Sequence, residues 1–335
     1  MAAIGIIGSG SWGTALALTL LKNRHRVVLY GRQAMHVEEM RRNRYNVKYL
    51  PGIRLPEELE ITHDLEKAVR KKDFLVFAVP SHAFRQAAQQ VSDVLDNSSV
   101  LIVSVTKGIE NETLMRMEEI TLQVLGDRDV EFVALSGPSH AEEVARDIPT
   151  AVVVAARDPG AAQIVQKAFM NPQFRVYSHH DVTGVELGGA LKNVIAVAAG
   201  ICDGVGFGDN TKAALITRGL AEITRLGVAM GAEKLTFAGL SGMGDLIVTC
   251  MSKYSRNRFV GEQIGKGKTL QQVLDEMVMV AEGVRTTKSA CALAEKYQIE
   301  MPITEKVYQV LFEKKSAREA VTALMTREAK VENWG

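Results

Sequence analysis

Apolar positions along this chain fall into two regimes. Up to about residue 180, short apolar runs recur between longer stretches: Ala3 to Ile7, Arg26 to Tyr30, Phe74 to Val79, Val100 to Val105, Phe132 to Ser136, Ala151 to Ala155 and Phe174 to Ser178. The three middle runs show no polar alternation, which predicts parallel strands covered on both faces. A helix is predicted to begin near Pro159. From Thr183 onward no strand pattern remains, and helical periods follow one another: Thr183 to Cys202, Thr211 to Met230, Leu270 to Met277, Arg285 to Tyr297, Thr304 to Glu313 and Ala317 to Met325. That change of period predicts an α/β domain over residues 1–180 and an all-helical domain over 181–335. No segment repeats at the spacing of a solenoid.

The first apolar run leads into Gly8-Ser9-Gly10-Ser11-Trp12-Gly13 and then an alanine-rich stretch, Thr14 to Leu21. Strand, G-x-G-x-x-G and helix in that order is the arrangement that receives a dinucleotide diphosphate. Gly8 permits the turn, Gly10 lets backbone approach the diphosphate, and Gly13 lets the helix lie close on the sheet. The anion then rests on the helix N-terminus, where N–H groups and the positive dipole end meet it. A glycine-rich turn without a ligand would share the motif. Arg26 to Tyr30, arriving where a βαβ unit needs its second strand, favours the binding reading. The expected fold is therefore an α/β Rossmann-type doubly wound parallel sheet followed by an all-α C-terminal domain.

Composition narrows the functional classes. Forty basic and 39 acidic residues leave a net charge of +1, so no footprint points to nucleic acid or an anionic membrane. Arg41-Arg42-Asn43-Arg44 is the one compact basic run and is read as a solvated face. The three cysteines, Cys202, Cys250 and Cys291, are odd in number and widely separated, which suits buried thiols in a reducing compartment. No histidine pair has zinc-ligand spacing, and the adjacent His179 and His180 are expected to point different ways. No charge occurs before Lys22, yet there is no basic leader, and Gly8 to Ser11 interrupt the apolar stretch. Strand, turn and helix explain those residues, so no membrane span is expected there and the protein is read as cytoplasmic.

The end of the second strand bears on the cofactor. An NAD-specific site places a carboxylate there, about 20 residues past the glycines. Here the sequence is Leu29-Tyr30-Gly31-Arg32-Gln33, and an arginine can stack on adenine and pair with a 2′-phosphate. NADP or NAD is expected, with NADPH favoured. Ligands of open α/β sheets lie beyond the carboxyl ends of the strands, which singles out Thr106-Lys107-Gly108 and Gly137-Pro138-Ser139.

Four further stretches complete the picture: Val105-Thr106-Lys107-Gly108, Ser136 to Ala141, Gly188-Gly189-Ala190-Leu191-Lys192-Asn193, and Leu240-Ser241-Gly242-Met243-Gly244-Asp245 running on to Ser255-Arg256-Asn257. Together with the glycine motif, and continuing through Val280-Ala281-Glu282-Gly283, they resemble the bacterial soluble NAD(P)-dependent glycerol-3-phosphate dehydrogenases nearly end to end. The resemblance implies Lys192 as the base, Lys107 as a second active-site lysine that also contacts substrate and nicotinamide, and Asp245 as their acidic companion. It implies cofactor contacts at Ser11, Trp12, Arg32, Ala141, Arg256, Val280 and Glu282, substrate contacts at Gly137 and Ser139, and a phosphate anchor at Ser255, Arg256 and Asn257. It further implies a phosphorylated triose as substrate, supply of glycerophospholipid synthesis, and a homodimer. Ser139 and Trp12 depart from the residues other members carry.

The chemistry of these residues agrees. Oxidising a secondary alcohol needs a base for the hydroxyl proton while a hydride leaves the carbon. Lys192 sits one helical turn after Gly188 and one before Ala196, so small neighbours leave its side chain room. Burial and the charge of Lys107 are expected to lower its pKa, and Asp245 to oppose that shift. Two other readings compete: a 3-hydroxyacid or 6-phosphogluconate-type dehydrogenase, and a non-enzymatic NADPH sensor.

Overall fold

The computed structural model describes residues 1–96, 99–126, 128–329 and 331–332. Two compact units emerge, one made of Met1–Lys107 and Met115–Val182, the other of Gly108–Leu114 and Thr183–Gly335. The expected second domain thus gains a short strap, Gly108–Leu114, whose Ile109 lies in the core of the helical unit. The last three residues of the 181–335 range lie outside the described residues.

In the first unit the strands are β1 (Ala3–Ile7), β2 (Arg26–Tyr30), β3 (Tyr45–Asn46), β4 (Leu50–Arg54), β5 (Glu60–Thr62), β6 (Phe74–Phe77), β7 (Val100–Ser104), β8 (Val130–Ser136), β9 (Thr150–Ala156) and β10 (Phe174–His179). Eight of them form one sheet in the order β10-β9-β8-β7-β6-β1-β2-β5, while β3 and β4 form a separate antiparallel hairpin. The chain winds outward from β1 in one direction and from β6 in the other, so the glycine motif after β1 stands at the switch point where such sheets bind ligands. The N-terminal apolar stretch is strand, turn and the helix Ser11–Lys22.

One pairing departs from the expected parallel sheet: β9 runs antiparallel to β8. The connection between them carries only the four-residue helix Ala141–Val144, not the full crossover helix that usually returns a chain to a parallel strand. Apolar runs read the same in either direction, so the sequence pattern could not distinguish these outcomes. The His179 and His180 rings stack 4.9 Å apart instead of diverging, because His180 lies past the end of β10, where strand alternation no longer applies. Of the basic run, Arg41 and Arg42 are exposed, while Arg44 is held by Glu57 and the Leu59 carbonyl.

The helical unit is built around Val182–Val205, which is long and apolar enough to cross a membrane but whose apolar window is entirely buried inside the protein. Its glycines let neighbouring backbone touch it. A Cβ at Gly200 would lie 1.9 Å from the Arg258 carbonyl oxygen, and one at Gly261 would lie 1.9 Å from that of Val197. This small-residue face is therefore occupied by the chain's own helix Arg256–Gly265.

Glu222, in the helix Asp209–Ala229, ties a second contact. Its carboxylate accepts from the N–H groups of Ile303 and Thr304 at 2.6 and 3.1 Å, at the start of the helix Pro302–Phe312. Burial pushes this carboxyl up to about 7 against those hydrogen bonds. Between 4.5 and about 7 the folded chain keeps a proton that the unfolded chain has lost, so this contribution to stability is full below 4.5 and disappears as pH rises through about 7. Thermal melts across that window are expected to show a falling midpoint in the parent protein and a flatter profile in Glu222→Gln.

Candidate active site

The glycine loop has the shape its motif requires. Gly8 has φ of +122°, and a Cβ there would lie 2.4 Å from the Ala78 carbonyl oxygen. At Gly13 a Cβ would lie 2.0 Å from the Gly8 carbonyl oxygen, whereas at Gly10 it would meet nothing within 4 Å. Two glycines are thus enforced by close approach and the third faces open space. The helix Ser11–Lys22 begins there without a side-chain cap, and the Trp12 indole Nε1 is buried with no hydrogen-bond partner among the described residues. An uncapped helix N-terminus beside an open backbone fits a diphosphate. Ser11 is buried in that first turn, and Arg32 is exposed two residues past β2, with no carboxylate in that position.

Beyond the ends of β6, β7 and β8, three stretches gather. Lys107 Nζ donates to the Gly137 carbonyl oxygen at 2.9 Å, Ser139 Oγ donates to the same oxygen at 2.9 Å, and Thr106 Oγ1 donates to the Val79 carbonyl at 2.8 Å. Gly137 reaches this position with φ of +134°. Ala141 opens the short helix immediately after.

The helical unit carries the other cluster. Lys192 is 5 % exposed, and its Nζ donates to Asp245 Oδ1 at 2.7 Å and to Thr249 Oγ1 at 2.6 Å. Asp245 is 1 % exposed and starts the helix Asp245–Met251, directly after a turn of π-helix, Leu240–Gly244. Such turns recur at functional sites because they re-aim one residue out of helical register. Gly188 admits the turn: a Cβ there would lie 2.7 Å from the Ser241 carbonyl oxygen. Thr249 donates its own proton to the Asp245 carbonyl at 2.6 Å, so its lone pair is presented to Lys192. Next to this cluster, burial first of all pushes the Cys250 thiol up to about 12, with the Lys192 charge working against it.

The proposed phosphate anchor is partly structural. Ser255 caps the helix Arg256–Gly265, its Oγ accepting from the Arg258 N–H at 3.2 Å. The Asn257 side chain donates to Asn193 Oδ1 at 2.9 Å and accepts from the Gly283 N–H at 2.8 Å. These bonds bring exposed Arg256 and the Val280 and Glu282 segment to the same side of the unit as Lys192 and Asn193. Among the described residues no three His, Cys, Asp or Glu side chains group as a metal site.

Sequence reasoning missed Thr249 and Asn193. Thr249 stands four residues after Asp245, one helical turn, and would have been found had that seven-residue helix been recognised. Asn193 adjoins Lys192 in the chain, but its role depends on Asn257, 64 residues away.

A doubly wound sheet with a glycine loop at its switch point, joined to a helical unit that buries a lysine against a carboxylate, is the build of a nicotinamide-dependent dehydrogenase. Family models for the N-terminal and C-terminal parts of NAD-dependent glycerol-3-phosphate dehydrogenase match residues 3–162 and 181–322. This chain belongs to that family. It is 53 % identical over 332 residues to glycerol-3-phosphate dehydrogenase [NAD(P)+] of Thermoanaerobacter sp. and 55 % identical over 332 residues to that of Geobacter sulfurreducens, in each case covering 99 % of both chains. The crystal structure of glycerol-3-phosphate dehydrogenase from Coxiella burnetii superposes with a TM-score of 0.93 at 37 % identity, covering 97 % of this chain and 99 % of that one.

Proposed function

We propose that this enzyme, an NAD(P)-dependent oxidoreductase, reversibly reduces dihydroxyacetone phosphate to sn-glycerol 3-phosphate, supplying glycerophospholipid synthesis, with Lys192 handling the proton. The observation that carries this reading is the buried Lys192, Asp245 and Thr249 cluster in a chain more than half identical to glycerol-3-phosphate dehydrogenases.

When bound, the reduced nicotinamide supplies a hydride for the carbonyl carbon. The chain's own residues do the rest. Gly8, Gly10, Ser11, Trp12 and Gly13 hold the diphosphate against the first helix, and Arg32 takes the adenosine end. Asp245 stabilises the Lys192 ammonium, which suits the acid role in reduction: its proton passes to the carbonyl oxygen as the carbon becomes a carbinol. In the reverse direction the amine takes the hydroxyl proton back. Lys107, steadied by the Gly137 carbonyl, contacts substrate and nicotinamide together with Ser139. The substrate phosphate is anchored by Ser255, Arg256 and the N–H groups at that helix start. Asn257 contributes backbone there, because its side chain is committed to Asn193 and Gly283.

The three free thiols suit a reducing, cytoplasmic compartment, and the homodimer implied by the resemblance is read by sedimentation. Steady-state assays with NADPH decide the substrate: turnover of dihydroxyacetone phosphate is expected, and turnover only of a 3-hydroxyacid or 6-phosphogluconate overturns the reading. Arg32→Asp is expected to raise the KM for NADPH about 10- to 100-fold, the loss of one or two charge-assisted bonds, while changing that for NADH little. Equal effects on the two cofactors would remove Arg32 from the 2′-phosphate site.

A further inference from the structure

We propose that Asn46, reaching in from the β3–β4 hairpin outside the main sheet, is a positioning residue that locks the glycine loop in its cofactor-binding shape. The inference rests on the dinucleotide reading above and adds a residue that the motif does not contain.

Asn46 is 0 % exposed, an unusual place for an amide unless its bonds are used. They are. Its Nδ2 donates to the Ser9 carbonyl at 2.9 Å and to Thr14 Oγ1 at 2.8 Å, and its Oδ1 accepts from the Tyr49 N–H at 3.2 Å. Beside it the His36 ring stands edge-on to Tyr49, 5.2 Å between centres. One amide thus joins the middle of the glycine loop to the first turn of the helix that follows it.

The Ser9 carbonyl is the important partner. In a planar trans peptide the C=O of Ser9 and the N–H of Gly10 point in opposite directions. Holding that oxygen toward the hairpin therefore turns the Gly10 N–H away from it. Gly10 has no side chain to hinder a peptide flip, and the space around its Cβ position is open. The amide of Asn46 supplies the restraint that the glycine lacks. On the opposite flank Ser9 is confined by Gly31, where a Cβ would lie 2.6 Å from Ser9 Oγ.

Asn46→Asp tests this with almost no change of volume, because it replaces both N–H donors with an acceptor facing the Ser9 carbonyl. NADPH titration of the full chain is expected to show a Kd raised about 10- to 100-fold and a KM for NADPH raised in parallel. The kcat at saturating NADPH and the KM for dihydroxyacetone phosphate stay within about twofold. Leu55→Ala, which empties a fully buried position just after β4, is the control for lost stability and is expected to leave the NADPH Kd unchanged. Should Asn46→Asp fail to fold, Thr14→Val replaces it, with an expected rise in Kd of about threefold. Parent protein that binds NADPH alongside an Asn46→Asp variant that binds it equally well overturns the inference. Equal weakening by Leu55→Ala does so too. Parent protein that does not bind NADPH overturns the dinucleotide reading itself.

Discussion

Lys192→Met lowers kcat for dihydroxyacetone phosphate reduction by about 10³-fold or more, with the NADPH Kd held within about twofold. The size follows from losing the acid that protonates the carbonyl oxygen. Methionine fills nearly the same volume, so the surrounding helices keep their packing. The glycine loop belongs to the other compact unit, so cofactor binding is left in place. The substitution also strands the buried Asp245 carboxylate, which lowers stability. Activity is therefore compared at a temperature where circular dichroism shows both variants folded. Recovery of turnover in Lys192→Ala by small alkylamines would tie the loss to the missing proton donor. A kcat within tenfold of the parent value would remove Lys192 from the chemistry and leave an NADPH-binding protein without a catalyst.

Asp245→Ala is expected to cost about 3–5 kcal/mol of stability in the helical unit, in addition to most of the activity. Lys192 is 5 % exposed, so its ammonium is largely shielded from water. Removing the carboxylate leaves an ammonium buried opposite a small cavity. With a unit of this size the midpoint of thermal unfolding should fall by roughly 10 °C. Asp245→Asn keeps the volume and an acceptor and should lose less than half as much. If the alanine variant melts with the parent protein, the ion pair is solvated, and the positioning role given to Asp245 in the proton transfer falls with it.

The glycine loop and the helical unit's cluster differed in how far they could be read. The glycine loop is a local motif: at Gly8 and Gly13 close backbone leaves no room for a Cβ, and Gly10 faces open space. The lysine, the aspartate and the phosphate anchor were singled out largely by family resemblance. Alone, each has an ordinary explanation, and Ser255 does serve as the plain helix cap.

What the sequence by itself determined is everything carried by a local period. The apolar run from Ala3 to Ile7 is a strand with those bounds, the Ala317 to Met325 pattern is a helix with those bounds, and the change of period near Thr183 marks where the helical unit resumes. Solvent exclusion from one face of a helix, or both faces of a strand, imprints itself on adjacent residues. Only the tertiary structure decided the reversed direction of β9, the bond from Thr249 to Lys192, and the amide of Asn46 on the Ser9 carbonyl. Those last two pairs are 57 and 37 residues apart, and the energy that fixes them arises between chain segments, so no window of sequence records it.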